Sequence, residues 1–203
     1  MAGKGGIPEP TCELEQWVLA ELARRQRSGE SVSALLVGAG AETQALRMAE
    51  AGARVLLLSD RETISHCNIS QLPVATLADE AAELPFAPFD IILSQRNFST
   101  LRYDAARAAL RQAIRRLRIG GKLFISLYGI HSDLGDNYPD GGKLVNERLA
   151  PVAPEAGKRY GLTEPVCLYA ERNLFSLLME AGAAVLKTST SALGHVRGVA
   201  ARI

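Results

Sequence analysis

Ser33-Ala34-Leu35-Leu36-Val37-Gly38-Ala39-Gly40-Ala41-Glu42 is the stretch that decides the fold. Its first five residues are apolar and too few for a helix, so they read as a strand buried on both faces. Gly38-Ala39-Gly40 then turns the chain. Glu42 to Ala51, rich in Ala, Leu and Met, reads as a helix stopped by Gly52. Arg54-Val55-Leu56-Leu57-Leu58 is a second buried strand, ending at Ser59-Asp60. Residues 33–60 are therefore a strand, a glycine turn, a helix and a strand.

The same alternation extends in both directions. Upstream, Thr11 caps a helix to about Arg27, with Leu14, Trp17, Val18 and Leu22 on one face. Downstream, Val74 to Leu77 reads as a short third strand and Phe89 to Ser94 as a fourth. Tyr103 to Leu117 reads as a helix, and Lys122 to Leu127 as a fifth strand after the Ile119-Gly120-Gly121 turn. A helix over Glu171 to Ala181 precedes two strands, Ala184 to Thr190 and Val196 to Arg202, close enough to pair as a hairpin. Such alternation predicts an α/β fold: a mostly parallel sheet covered on both faces, closed by an antiparallel C-terminal strand. Residues 129–168 break the pattern. They are rich in Gly, Pro and Asp, with one short helical candidate at Lys143 to Leu149, and a stretch of that kind reads as an insertion or lid.

Bulk properties narrow the function class. The chain has 203 residues, 47% hydrophobic and 22% charged, with a formal net charge of +1. One folded domain over 11–203 is expected, after a flexible Gly/Pro-rich segment over 1–10. The balanced charge gives no field for nucleic acid or a membrane surface. No apolar run approaches a membrane span, and the first ten residues lack the apolar core of a signal peptide. Cys12, Cys67 and Cys167 are scattered, as expected of reduced thiols in a cytoplasmic protein.

Chemistry is expected where parallel strands end. At Gly38 and Gly40 the backbone can approach a ligand closely, and the following helix offers free N–H groups to an anionic moiety. An acid after the second strand, Asp60, suits ribose hydroxyls. The bland readings are turn glycines and a helix-capping aspartate. Together the features point to an adenosine-containing ligand. A dinucleotide fingerprint wants a third glycine where this chain has Thr43, and no Tyr-x-x-x-Lys pair accompanies it, which weakens an NAD(P)-linked oxidoreductase.

Three later segments carry a resemblance. Ala82-Glu83-Leu84-Pro85-Phe86-Ala87-Pro88-Phe89-Asp90-Ile91-Ile92-Leu93-Ser94, Leu117-Arg118-Ile119-Gly120-Gly121-Lys122-Leu123-Phe124-Ile125 and Leu177-Leu178-Met179-Glu180-Ala181-Gly182-Ala183-Ala184-Val185 follow the glycine loop in order. The ordered set, over about residues 30–203, resembles small-molecule S-adenosylmethionine (SAM)-dependent methyltransferases. The resemblance implies a three-layer Rossmann-like fold with a seven-stranded sheet, SAM as cofactor, and a small-molecule acceptor. It places Gly38, Ala39, Gly40 and Glu42 at the amino-acid end of SAM, and Ser59, Asp60 and Arg61 near the ribose. Asp79 or Glu80 falls near the adenine, and Ser94, Gln95 and Arg96 at the sulfonium end. The family's loop usually reads D-x-G-x-G-x-G; here its acid is Leu36 and its last glycine Glu42, and Ser59 stands where the ribose acid often falls. A non-catalytic, partner-binding member of the same fold is the alternative.

His131 and Tyr128, just after the fifth strand, are the candidate acid/base residues. His131, Asp133 and Asp136 read better as a solvated loop than as a metal site, and no metal is expected. His66 and His195 stand alone, and nothing completes a nucleophilic set around Cys67. The basic run Arg111, Arg115, Arg116, Arg118 and Lys122 suits a solvated helix end. No Asn/Asp-Pro-Pro-Tyr motif follows the fourth strand, which argues against methylation of nucleic-acid bases. A homodimer is compatible with the sequence.

Overall fold

A computed structural model of the chain describes residues 13–38, 40–61, 63–77 and 83–203. Ala39, Asp79 and Glu80, together with Thr11, Cys12 and the 1–10 segment, lie outside the described residues. Seven strands form one sheet in the order β3-β2-β1-β4-β5-β7-β6. They are β1 (Ser33–Gly38), β2 (Arg54–Leu58), β3 (Ile69–Leu72), β4 (Phe89–Gln95), β5 (Leu117–Leu127), β6 (Ala184–Thr190) and β7 (Val196–Ala201). Neighbours from β3 through β5 are parallel, whereas β7 runs antiparallel to both β5 and β6.

The apolar strands divide their side chains by the two-residue period of extended backbone. Leu35, Val37, Leu56, Leu58 and Ile92 face one side, where they meet helices α3 (Tyr103–Arg116) and α5 (Glu171–Glu180). Ala34, Leu36, Val55, Leu57, Ile91 and Leu93 face the other. These pack under α1 (Glu13–Arg27) and α2 (Ala41–Glu50). Leu36 is completely buried there, so an apolar contact occupies the position of the family's loop acid.

Two expectations are corrected. Val74 to Leu77 is a 3-10 turn, and the third strand lies earlier, at Ile69–Leu72, paired in parallel with Val55 to Leu58. Its Ser70 and Gln71 hide it from an apolar-run reading; as an edge strand it is only half-buried. The expected helix over Lys143 to Leu149 is reduced to a 3-10 turn at Val145–Glu147.

Residues 129–168 fold into a packed layer. They contain α4 (Pro154–Tyr160), which the sequence pattern does not reveal although Pro154 opens it and left-handed Gly161 closes it. Leu134, Tyr138, Ala150, Val166 and Leu168 form a separate apolar cluster with Tyr128. The Tyr138 hydroxyl donates to the Val166 carbonyl at 2.6 Å and accepts from the Ala150 N–H at 3.2 Å. Burial pushes the Tyr138 phenol up to about 12, so it remains a neutral donor. The layer is tied to the sheet by Cys167 N–H to Ser99 O and Tyr169 N–H to Tyr128 O, at 2.7 and 2.9 Å. Burial also pushes the Cys167 thiol up to about 11, which keeps it from acting as a thiolate. Among the described residues, no helix is long and apolar enough to cross a membrane.

Candidate active site at the carboxyl edge of the sheet

The strand order reverses between β1 and β4, and a crevice opens there at the carboxyl ends of both strands. Gly38 closes β1 with φ +104°, beside Gln95 at the end of β4. A Cβ on Gly38 would come within 2.1 Å of the Gln95 carbonyl oxygen, so this glycine serves the strand-to-strand fit as well as the turn. Gly40 is left-handed, with φ +74°, and forms the N-cap of α2 with no side chain to bond the first turn. The first-turn N–H groups of α2 consequently have no intrahelical partner, as required of an anion-receptive helix start.

The second strand ends beside this helix start. Ser59 Oγ donates to Glu42 Oε1 at 2.7 Å and accepts from the Arg61 N–H at 3.2 Å. Arg61 Nε lies 3.7 Å from the same carboxylate oxygen. The structure thus gathers Glu42, Ser59 and Arg61. Asp60 is exposed, and its Oδ1 caps the 3-10 turn by accepting from the Val74 N–H at 3.1 Å.

At the end of β4, Ser94 is completely buried and its Oγ has no hydrogen-bond partner among the described residues. Gln95 Nε2 reaches Glu15 Oε1 on α1 at 3.4 Å. Arg96 takes a left-handed backbone conformation at φ 62°, uncommon for a side chain of this size. Its guanidinium stands 5.4 Å from the Tyr128 ring centroid and 5.9 Å from that of Tyr160. His195 packs edge-on against both tyrosines, with centroids 5.7 and 5.5 Å away. The Gly129 N–H donates to His195 Nδ1 at 3.4 Å. Four segments meet in this group: the ends of β4 and β5, α4, and the β6–β7 turn.

His131 has an exposed side chain, while its backbone carbonyl lies against Gly194, the neighbour of His195. The histidine packed against Tyr128 is His195, which is only 3% exposed and which stands alone in the sequence. Its signal lies in the hairpin it belongs to. Antiparallel β7 returns beside β5 and carries Gly194 so close to Gly129 that a Cβ on the latter would meet the Gly194 oxygen at 1.7 Å. Tyr160 escapes sequence reasoning together with its helix. Among the described residues, no three His, Cys, Asp or Glu side chains converge to hold a metal ion.

One family comparison spans the glycine crevice, from β1 through most of β5. Residues 35–125 match the model of a family described as a methyltransferase domain. Solved structures share the fold over most of the chain. A Burkholderia thailandensis 1,6-didemethyltoxoflavin-N1-methyltransferase, solved with bound 1,6-didemethyltoxoflavin and S-adenosylhomocysteine, is 18% identical with a TM-score of 0.60; the alignment covers 90% of this chain and 76% of that one. The magnesium protoporphyrin IX methyltransferase of Synechocystis PCC 6803 is 15% identical over 93% of this chain and 83% of its own, with a TM-score of 0.57. A Rhodobacter sphaeroides structure described as a candidate Zn-dependent alcohol dehydrogenase aligns over 97% of this chain and 92% of its own, at 15% identity and a TM-score of 0.63. Identities this low establish the shared fold and leave chemistry to the residues of the site. No curated protein matches the sequence.

Proposed function

We propose that the chain is a methyltransferase that binds SAM in the β1–β4 crevice and transfers its methyl group to a small-molecule acceptor. The observation that carries this reading is the left-handed, uncapped Gly40 at the start of α2, beside the strand-order reversal. The donor set around it fits the cofactor. Backbone amides at Gly38 and Gly40 suit its amino-acid end, Glu42, held by Ser59, supplies a hydrogen-bond acceptor for hydroxyls, and the buried Ser94 hydroxyl adds a polar group at the end of β4.

SAM supplies an electrophilic methyl group, so the protein's task is to align an acceptor with it. Arg96, Tyr128, Tyr160 and His195 form the wall on the acceptor side, where aromatic edges orient a flat molecule and the layer over 129–168 excludes water. Tyr128 and His131 are the residues proposed to take a proton from an acceptor that must lose one.

Calorimetric titration with SAM and S-adenosylhomocysteine, with NADH as control, tests the reading. Micromolar binding of the first two that disappears in Gly40→Arg supports it; failure of both to bind overturns it. The burial of Leu36 at the loop-acid position favours a second reading, a scaffold of this fold without turnover. That reading predicts no methylated product from any acceptor in a screen with radiolabelled SAM.

A further inference from the structure

The acid that would serve an adenosine ligand does not stand where the second strand ends. Ser59 holds that position and is nearly buried, and its hydroxyl proton is directed to Glu42 by the Arg61 N–H that Ser59 Oγ accepts. Asp60, the next residue in sequence, spends its carboxylate on the Val74 N–H at the exposed rim. Glu42 reaches across from the second position of α2, with a side chain only 22% exposed. Its Oε1 is occupied by Ser59 and lies near Arg61, whereas no donor among the described residues reaches Oε2. A half-buried carboxylate with one oxygen anchored and the other without a donor among the described residues is an acceptor held in place for an incoming donor. Its place in the first turn of α2 also favours the negative charge.

We infer that Glu42, anchored by Ser59, is the ribose-binding acid of this site, reached from the helix start instead of the strand end. The assignment rests on the SAM reading above. It makes the residue at the loop's last glycine position a hydroxyl acceptor, and it leaves Asp60 with a structural cap. Ser59 is a positioning residue: it fixes the Glu42 rotamer and does not itself offer a proton to the ligand.

The test is calorimetric titration of the full chain with S-adenosylhomocysteine and with its 2′-deoxy analogue, repeated on Glu42→Gln and Asp60→Asn, with thermal melts confirming that each variant folds. A charge-assisted hydrogen bond implies that the native protein binds the deoxy analogue roughly tenfold to a hundredfold more weakly. Glu42→Gln is expected to lose about the same factor for the parent ligand and little further for the analogue, while Asp60→Asn binds like the native chain. Equal affinity of native protein and Glu42→Gln for S-adenosylhomocysteine, or a loss confined to Asp60→Asn, overturns the assignment while leaving the SAM reading intact. No binding of S-adenosylhomocysteine by the native chain overturns that reading and the assignment with it.

Discussion

Arg25 Nη1 lies 3.1 Å from Asp90 Oδ1, joining α1 to the start of β4 at the end of the sheet opposite the crevice. Asp90 is fully buried. It also accepts from the Ser33 N–H at 2.8 Å, from Ser33 Oγ at 3.2 Å, and lies 3.1 Å from Arg118 Nε. Every one of these partners is a donor, so the carboxylate is compensated from β1, α1 and β5 together. Removing it leaves the Ser33 N–H without its acceptor and takes one of three carboxylates from Arg25, which keeps Glu21 and Glu30. Asp90→Ala is therefore expected to destabilise the fold by about 1–3 kcal/mol, measured by urea unfolding. Because the network lies at the far edge, ligand binding by the folded fraction should stay unchanged.

The same network sets an acid sensitivity. Burial alone would raise the Glu21 carboxyl, but hydrogen bonds from Arg24, Lys122 and Arg25 outweigh it and hold the group at about 2, against an ordinary value of 4.5. A carboxyl lowered on folding stabilises the protein fully above its unfolded value, and that contribution disappears as pH falls through the folded value. Stability should be insensitive to this group above about pH 5 and decline between roughly pH 4.5 and 2. Solvent screens the partly exposed Arg24 and Lys122, which trims the gain. Glu21→Gln should remove on the order of 2 kcal/mol at neutral pH and flatten that limb of the profile. Melting curves across pH check both outcomes.

Gly38 and Gly40 should respond differently to alanine. At Gly38 the added Cβ meets the Gln95 carbonyl oxygen at 2.1 Å, a backbone atom that can move only by separating β1 from β4. Gly38→Ala is expected to unfold the protein or to lower its stability by more than about 3 kcal/mol. At Gly40 the nearest atom is Gln95 Oε1 at 3.4 Å, a flexible side-chain end, so only the left-handed backbone resists. Gly40→Ala should cost about 1–2 kcal/mol and leave a folded protein. Paired thermal melts separate the two.

Tyr138 anchors the layer over residues 129–168 through its hydroxyl. Tyr138→Phe leaves the Val166 carbonyl without that donor and the Ala150 N–H with only its longer bond to Val166, at 3.3 Å. A loss of about 1–3 kcal/mol is expected. Hydrogen exchange should show the loosening concentrated in the bridge between Ala150 and Val166, with the strands of the parallel sheet protected as before.

Much of this architecture is legible in the chain. Leu35, Leu36 and Val37 announce a strand buried on both faces, Gly38 and Gly40 announce a turn that only small residues allow, and the alternation with amphipathic helices demands a parallel sheet. These are local properties: periodicity, apolar run length and backbone permissiveness depend on near neighbours in sequence, so the sequence by itself determined the elements and the edge at which a ligand is expected. β3 escapes because an edge strand with Ser70 and Gln71 carries no apolar run, and α4 escapes because a helix of 7 residues is too short to show a helical period.

Tertiary structure alone decided which side chains meet. Glu42 and Ser59 are 17 residues apart, and only the packing of α2 against β2 brings the carboxylate over the strand end. Gly129 and His195 are 66 residues apart, joined because β7 inserts antiparallel between β5 and β6. That insertion, not any feature near position 195, sets a histidine against Tyr128 while His131 remains in solvent. Side-chain partnerships of this kind depend on strand order and helix placement, which no local pattern encodes.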